Sequence, residues 1–282
     1  MKLRKIISLS KYEYALYLKN YKMIILLVLS VFIYQFIISP LDNAVAQTGI
    51  NYSVFEIFIA LSNSGVILMI LPLAFIFVVS DYPLKNSNSF LYIIRMNRIN
   101  WICSEIIFAL KATATFLLLT VLICCGLGFS NGKMSLCWSN ITVQYNVLFP
   151  KLKGSFVDQL LPGNLYNQMS LIKCFLLSFA LVFLYLFTFS MIYLLFELKK
   201  RKGIGLLIIA AIILTGTVLT GIDNGGKWLL PTAHSIIWIH YTEYYRDSVM
   251  NIGYSFLYYI LVNIVIIINA FMECKCYSFE AK

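Results

Sequence analysis

Residues 174–196 read CFLLSFALVFLYLFTFSMIYLLF, a run of 23 residues without a single Asp, Glu, Lys or Arg. An α-helix of about 20 apolar residues is long enough to cross the hydrocarbon core of a bilayer. Lipid cannot bond an open backbone, so a run of this kind crosses a membrane as a helix. Five more apolar runs occur in the chain, at 23–39, 54–80, 112–129, 204–220 and 254–271. The sequence therefore predicts an all-α integral membrane protein with six transmembrane helices.

The composition supports a membrane protein and excludes two other classes. Hydrophobic residues make up 61% of the 282 residues and charged residues only 12%, with a mean hydropathy of +0.84. A soluble domain needs about 25% charged residues. A net charge of +10 is also found in nucleic-acid-binding proteins, but here the basic residues are dispersed between the apolar runs and form no patch. The loops are too short for a further domain, so residues 1–282 are predicted to form a single transmembrane domain.

The distribution of basic residues predicts the orientation of the chain. Loops that face the cytoplasm carry an excess of Lys and Arg. If the N-terminus is cytoplasmic, 16 of the 22 basic residues lie on the cytoplasmic side and six lie outside. Both termini are therefore predicted to be cytoplasmic. Residues 2–22 place apolar and basic residues on different sides of a helix, which predicts an amphipathic helix lying in the membrane interface.

The largest predicted inner loop, residues 81–111, contains the candidate site residues. A Ser- and Asn-rich stretch predicts the start of a short helix there. The candidates are Asp81, Phe90, Ile94, Arg95, Arg98 and Trp101. Such a helix can seat in a groove of a cytoplasmic partner, with apolar residues as anchors and arginines paired with acidic groups. From the residues alone, a helix that rests against lipid explains the same pattern, and this alternative stays open.

Two sequence patterns resemble catalytic sites but lack essential parts. Residues 221–227 fit G-x-x-x-x-G-K, yet Trp228 stands where a phosphate-binding loop needs Ser or Thr to hold magnesium. His234 and His240 are the only histidines, and together with Glu243 they have the chemistry of metal ligands. Their spacing does not place both histidines on one face of a straight helix, so an aromatic segment at the outer interface is the favoured interpretation. No cofactor is predicted for this chain.

Charged residues inside the predicted spans are few. Glu56 is placed near the outer end of the second span and Glu105 near the inner end of the third. An ion-coupled carrier usually needs such groups near the membrane midplane, so the pattern disfavours one. Pro72 is expected to kink the second span. The seven cysteines show no zinc spacing and are expected to pack in the core, with a disulfide between Cys137 and Cys174 as the lesser alternative.

This layout resembles the membrane (permease) subunit of type 2 ABC exporters over nearly the full chain. The resemblance rests on the amphipathic helix at 2–22, the six spans, the inner loop after the second span and the outer segment 228–245. Asp81 just after the second span, followed by Arg95 and Arg98, is similar to the family's pattern. The long outer loop 130–173 departs from the family, because many members join their third and fourth spans closely.

The resemblance implies a division of labour between subunits. A separate ATPase subunit binds ATP and magnesium, and this chain pairs with a second permease copy, identical or different, in the bacterial cytoplasmic membrane. The expected substrate is amphipathic, an antimicrobial peptide or a lipid-like compound, as in small bacterial permeases of peptide export or immunity. ATPase-coupling roles are implied for Asp81, Phe90, Ile94, Arg95, Arg98 and Trp101.

Two other functions stay as alternatives. One is a non-transporting membrane protein, which serves in immunity or assembly and works without any ATPase. The other is a membrane-bound enzyme, which predicts loss of activity when His234, His240 or Glu243 is substituted.

Overall fold

A computed structural model of the chain describes residues 2–83, 96–152, 157–242, 244 and 247–277. Within these ranges the regular backbone is helical, and the only β-contacts are two isolated bridges, Ser53 with Lys133 and Tyr241 with Ser248. Five helices are long and apolar enough to cross a membrane, or six if one bent pair counts as a single span. The predicted all-helical architecture, with five or six helices able to span a membrane, is thereby confirmed, while the cytoplasmic location of the termini stays a prediction.

The long helices and one short helix follow each other in the order α1 (Lys2–Leu18), α2 (Tyr21–Thr48), α3 (Val54–Asn63), α4 (Gly65–Val79), α5 (Arg98–Gly128), α6 (Leu171–Leu198), α7 (Lys202–Gly221), α8 (Pro231–Ser235) and α9 (Ile252–Cys276). The connection between α5 and α6 contains three further short helices, Asn140–Val143, Tyr145–Leu148 and Gly163–Tyr166. Two 3-10 turns, Gly225–Leu229 and Trp238–His240, flank α8.

The helices form a bundle with two distinct ends. At one end, which we call the base, Arg98 at the start of α5 donates to the backbone carbonyls of Cys274 and Lys275 at the end of α9. The opposite end, which we call the top, carries the α5–α6 connection and the segment around α8. There Lys133 N–H donates to Tyr52 O over 2.8 Å, which joins the α5–α6 connection to the start of α3.

The core is centred on α6, which packs against α3, α5, α7 and α9. Of its most apolar stretch 56% is buried, against 28% for α7 and 22% for α9. The outward faces of these neighbours carry exposed side chains such as Leu207 on α7 and Ile260 on α9. Such faces are stable in lipid, where exposed apolar side chains need no cover. A tight turn with Lys200 in the left-handed conformation, φ 57°, joins α6 to α7.

The N-terminal helix α1 lies along α5 at the base. Ser104 Oγ donates to Ile6 O over 3.1 Å, and the hydroxyls of Tyr14 and Thr115 are 2.7 Å apart. The predicted helix is therefore present, but its inward face includes Glu13, which is 1% exposed, while Leu3 on the predicted apolar face is 68% exposed. Whether α1 lies in the membrane interface stays a prediction.

The second predicted span, 54–80, is broken. Its two halves, α3 and α4, meet at an angle of 82° with Ser64 between them. The sequence placed the irregularity at Pro72. A smaller interruption does occur at Met69, one turn before Pro72, but Pro72 itself is the third residue of the segment Ile70–Val79. A proline cannot donate to the carbonyl four residues back, here Leu68, so the interruption at Met69 agrees with the irregularity expected at Pro72, while the large bend lies at Ser64.

The first predicted span, 23–39, is longer than expected. The apolar run ends at residue 39, yet the helix continues through Ser39–Thr48 and is capped by Gly49, whose φ is 70°. A π turn, Tyr34–Ile38, precedes the proline, and Ser39 N–H donates to Tyr34 O five residues back. This change of bonding pattern accommodates a residue without an N–H, so the chain passes Pro40 without leaving the helix.

Candidate functional site

The predicted site residue Asp81 lies at the base, just past the end of α4. Lys22 Nζ donates to its carboxylate over 2.7 Å and Asn20 Nδ2 over 3.3 Å. Burial alone would raise the pKa of Asp81, but these two hydrogen bonds outweigh burial and hold the pKa below its ordinary value. Asp81 is therefore ionised at neutral pH and ties the end of α4 to the start of α2.

Two more predicted site residues occupy the first turn of α5. Arg98 bonds the end of α9, and Trp101 is 2% exposed with its ring stacked on Tyr277 at 5.7 Å. Trp101 is thus a packing residue and offers no surface to a partner protein in this conformation. The remaining candidates, Phe90, Ile94 and Arg95, lie outside the described residues.

A pair of buried carboxyl groups lies between α1 and α5. Glu13 is 1% exposed and Glu105 is fully buried, and the two lie close enough to influence each other's ionisation. Glu13 Oε2 and both carboxyl oxygens of Glu105 have no hydrogen-bond partner in the described part of the chain. Burial raises the pKa of Glu13 to about 7. At least one of the two carboxyls therefore keeps its proton near neutral pH, since two unpaired buried charges are too costly.

The two sequence patterns that resemble catalytic sites do not form such sites in the structure. In the segment 221–227, Lys227 pairs with Asp223, and a 3-10 turn follows the glycines in place of a helix of several turns. His234 and His240 each bond protein groups through both ring nitrogens, and Glu243 lies outside the described residues. Among the described residues no three His, Cys, Asp or Glu side chains are grouped as metal ligands. The six cysteines whose side chains are described are free, Cys137 and Cys174 included.

Asn63, the last residue of α3, joins three parts of the molecule. Its Nδ2 donates to Ile59 O over 3.0 Å and to Ser178 Oγ on α6 over 2.9 Å. Its Oδ1 accepts the backbone N–H of Ile237 over 2.8 Å, and its backbone carbonyl accepts the indole N–H of Trp238 over 2.7 Å. Asn63 is fully buried. It therefore supplies the polar partners that a broken membrane helix needs at its break.

The segment around α8 is set into the top of the bundle. All five residues of α8, Pro231–Ser235, are buried. Thr232 packs directly on Gly216 of α7, where a side-chain methyl would lie only 2.7 Å from the Thr232 Cβ. Thr232 Oγ1 and the Tyr185 hydroxyl of α6 are 3.1 Å apart. The segment predicted before the last span is packed, over residues 225–240, between α6, α7 and α9. We call it the re-entrant segment, and its depth in the membrane stays a prediction.

A cavity of about 410 Å³ lies where the re-entrant segment, the break in the second span and the end of α7 meet. Val66 and Gly221 are exposed at its rim. None of its lining side chains is charged, and hydroxyls, amides and one indole ring line it together with apolar groups. The lining residues are Ser64, Gly65, Val66, Gln159, Pro162, Asn164, Thr217, Thr220, Gly221, Ile236 and Trp238. This cavity is the candidate functional site, because it combines size, polar groups and a helix break.

The outer connection that closes one side of this region is anchored by Glu56. The carboxylate accepts the backbone N–H of Ser139 over 2.7 Å, the hydroxyl of Ser139 over 2.8 Å and the hydroxyl of Thr142 over 2.9 Å. It also completes a capping box with Ser53 at the start of α3. Glu56 is fully buried. Its role is therefore to hold the α5–α6 connection on the top of the bundle.

Sequence reasoning missed the cavity and the residues that shape it. One signal was present: Ser62-Asn63-Ser64-Gly65 is a polar, small-residue interruption inside an apolar run, and such an interruption is the best sequence pointer to a broken span. The contacts of Asn63 to the re-entrant segment join residues 174 and 175 positions apart. No local pattern indicates them.

Comparison with known proteins adds no assignment, since no protein-family model, no curated protein and no solved structure matches this chain.

Proposed function

We propose that this chain is the membrane subunit of an ATP-driven exporter of the type 2 ABC class. In this proposal the base faces the cytoplasm of a bacterial cell, a separate ATPase subunit binds there, and a second permease copy completes the pathway. The substrate is amphipathic, such as a peptide or a lipid-like compound, and it passes by the cavity at the top. The chain itself carries out no hydrolysis.

The observation that carries the proposal is the uncharged cavity at the break of the second span. Broken helices near re-entrant segments are where membrane carriers bind their cargo, because freed backbone groups and polar side chains are available there. The lining pairs the Trp238 ring and Ile236 with hydroxyls such as Thr217 and Thr220. A substrate with an apolar body and uncharged hydrogen-bonding groups matches this lining, whereas a strongly charged ion finds no counter-charge there.

The architecture of the base agrees with an external energy source. The sequence holds no complete nucleotide-binding motif. The α4 end with Asp81, the start of α5 with Arg98 and the helix α1 all meet at this end. An ATPase that binds here acts on several spans at once, which is what a permease needs when ATP binding must bias its conformation.

The first experiment is gentle extraction from native membranes with a C-terminal affinity tag, followed by identification of what co-purifies. The proposal expects a soluble ATPase in stoichiometric amount and ATP hydrolysis in the preparation. The proposal would be refuted if the chain purified alone, with no crosslinked partner and no ATP hydrolysis. The non-transporting immunity protein would then be tested by direct peptide binding.

A pair of neighbouring substitutions on α7 then tests the cavity. Thr217→Phe fills the cavity, whereas Val218→Phe adds the same ring on the exposed side of the same helix, where Val218 is 55% exposed. We expect Thr217→Phe to abolish substrate-stimulated ATP hydrolysis while basal hydrolysis persists, and Val218→Phe to behave like the wild type. Equal effects of both variants would remove the cavity from the transport route.

A further inference from the structure

The two histidines of the chain converge on one hydroxyl. His234 lies on α8 and His240 on the following 3-10 turn, and they are 4% and 0% exposed. His234 Nδ1 is 2.9 Å from Ser255 Oγ of α9, and His240 Nε2 is 2.7 Å from the same oxygen. Ser255 is fully buried as well. A three-residue chain, His234–Ser255–His240, therefore links the re-entrant segment to the last span.

The other ring nitrogens fix where the hydrogens are. His234 Nε2 is 2.9 Å from the backbone carbonyl of Trp228, and His240 Nδ1 is 2.8 Å from that of Ile236. A carbonyl oxygen only accepts hydrogen bonds, so each of these nitrogens carries a hydrogen and donates. In a neutral imidazole the second nitrogen is then a bare acceptor. Both bare acceptors, His234 Nδ1 and His240 Nε2, point at Ser255.

In the neutral state, the site has one hydrogen fewer than it has hydrogen-bond contacts to fill. Two neutral rings and one hydroxyl hold three hydrogens, but the site has four contacts to fill, two to carbonyls and two to Ser255 Oγ. The hydroxyl can donate to only one ring, so lone pairs face each other in the second contact. Moving a hydrogen to the other nitrogen of a ring only shifts the mismatch to a carbonyl. An unfilled buried contact of this kind is destabilising.

We propose that His234, Ser255 and His240 form a binding site for one proton. With a single added proton, one imidazolium donates to Ser255 Oγ, Ser255 donates to the other ring, and all four contacts are filled. The proton comes from hydronium in the solvent: one O–H bond of hydronium breaks, one N–H bond forms on a ring, and water is released. A second proton is excluded because it would place two positive charges on rings that share one oxygen, with the hydroxyl hydrogen left without an acceptor.

In the part of the chain that the structure describes, the surroundings of the two rings disfavour a positive charge on them and supply no counter-charge. Burial lowers the pKa of His234, and it lowers that of His240 to about 4, with the positive charges of His234 and Lys227 adding to the effect. Lys227 is paired with Asp223, the Tyr258 ring stacks on His234 at 3.9 Å, and from the last span the Tyr259 hydroxyl donates to Pro231 O. Helix α6 contributes Tyr185, which reaches the segment through Thr232. The loop that follows His240 contributes Asp247, whose carboxylate accepts the Thr242 hydroxyl over 3.1 Å.

The histidine pair is connected to the cavity that forms the candidate functional site. Ile236 and Trp238 line the cavity and lie between the two histidines in sequence. The protonation state of the two rings therefore determines how this cavity wall is bonded to α9. Burial lowers the pKa of both rings below the ordinary value near 6.5, so the pair takes up its one proton below that pH. Unfolded histidines bind protons first as the pH falls, so burial of the charge outweighs the filled contact and the protonated cavity wall is the less stable one.

The test is a nuclear magnetic resonance titration of the ring nitrogens in the full chain, labelled at histidine and purified without a histidine tag. Only two rings contribute signals, so the bound protons can be counted directly. Between pH 8 and pH 4 we expect the two rings together to gain one proton, either on one ring or shared between both. Ser255→Ala should lower the pH of this uptake by more than about one unit, because the bridging hydroxyl is lost.

Ser235→Ala is the matched control, since Ser235 lies in the same segment and its hydroxyl donates to Thr232 O over 2.7 Å without touching either ring. Its titration should follow that of the wild type. The proposal would be overturned if the two rings together gained two protons above pH 4, if they gained none, or if the titration were unchanged in Ser255→Ala. If Ser255→Ala does not fold, the proton count of the wild type decides alone.

Discussion

Gly216→Ala tests whether the re-entrant segment is packed on α7 as closely as described. A methyl group at position 216 would lie 2.7 Å from the Cβ of Thr232, which is fully buried, so rotation of the threonine side chain alone cannot relieve the overlap. Overpacking of this kind costs about 1–3 kcal/mol. Displacing Thr232 also breaks its contact with Tyr185, worth about 1 kcal/mol. The higher helix propensity of alanine returns up to about 1 kcal/mol.

The net expectation is a loss of about 2 kcal/mol, or roughly 4–8 °C in unfolding temperature for a chain of this size. The assay is thermal unfolding in detergent with a dye that fluoresces on reaction with thiols, because Cys124 and Cys174 are fully buried and become reactive only on unfolding. Gly203→Ala on the same helix is the control, since a methyl group there meets nothing within 4 Å. Unfolding temperatures that agree between the two variants would refute the close packing.

Two further predictions use thermal unfolding; the pH series is followed by intrinsic fluorescence, because thiols react through the thiolate and the dye is too slow at acidic pH. Glu56→Ala should destabilise the chain by about 3 kcal/mol or more, because the hydroxyls of Ser139 and Thr142 and one backbone N–H lose their acceptor. Glu56→Gln keeps an acceptor and should lose less; an unchanged stability in Glu56→Ala would show that the carboxylate anchors nothing. The free energy of unfolding of the wild type should fall by up to about 3 kcal/mol as the pH rises from 4.5 to 7. Glu13→Gln should remove this fall. The unfolded glutamate ionises first on raising the pH, so the wild type is stabilised below pH 4.5 and loses that contribution as the pH passes the folded pKa; an unaltered pH profile in the variant would contradict the buried carboxyl.

The apolar spans could be predicted from the sequence because their cause is local. A run such as 174–196 has no stable state in lipid other than a helix, and the structure extends it only to Leu171–Leu198. The added residues are those that composition alone cannot assign, because helices continue past the hydrocarbon core into polar flanks. The predicted span 204–220 and the observed helix α7, Lys202–Gly221, differ at their ends by a similarly small number of residues.

The breaks and long contacts could not be predicted because their causes are not local. The first apolar run ends at residue 39, but a π turn lets the helix continue past Pro40. Pro72 predicted a kink, and a small interruption does occur one turn before it, at Met69. The true break at Ser64 is stable because Asn63 finds partners on α6 and on the re-entrant segment. Such partners exist only in the folded bundle.

The two buried pairs of titratable side chains were beyond the sequence for the same reason. His234 and His240 read as members of an interfacial aromatic segment, whereas in the structure both contact Ser255, which is 21 and 15 residues away. Glu105 read as a span-end charge and Glu13 drew no prediction, but α1 lies along α5 and brings the two together. In each pair the chemistry arises from packing between helices, which hydropathy does not encode.

Helix α4 connects the two regions on which the proposed function depends. Its 15 residues span about 22 Å, from the cavity at Ser64 to Asp81 at the base. At the base its end is held by Lys22 and by the Tyr193 hydroxyl, which donates to Ser80 O. At the cavity its neighbour Asn63 holds the break through side-chain bonds in place of continuous helix bonds. A displacement of the base end therefore acts on a helix that meets a break already formed at Ser64, with Met69 as a smaller interruption on the way to the cavity wall.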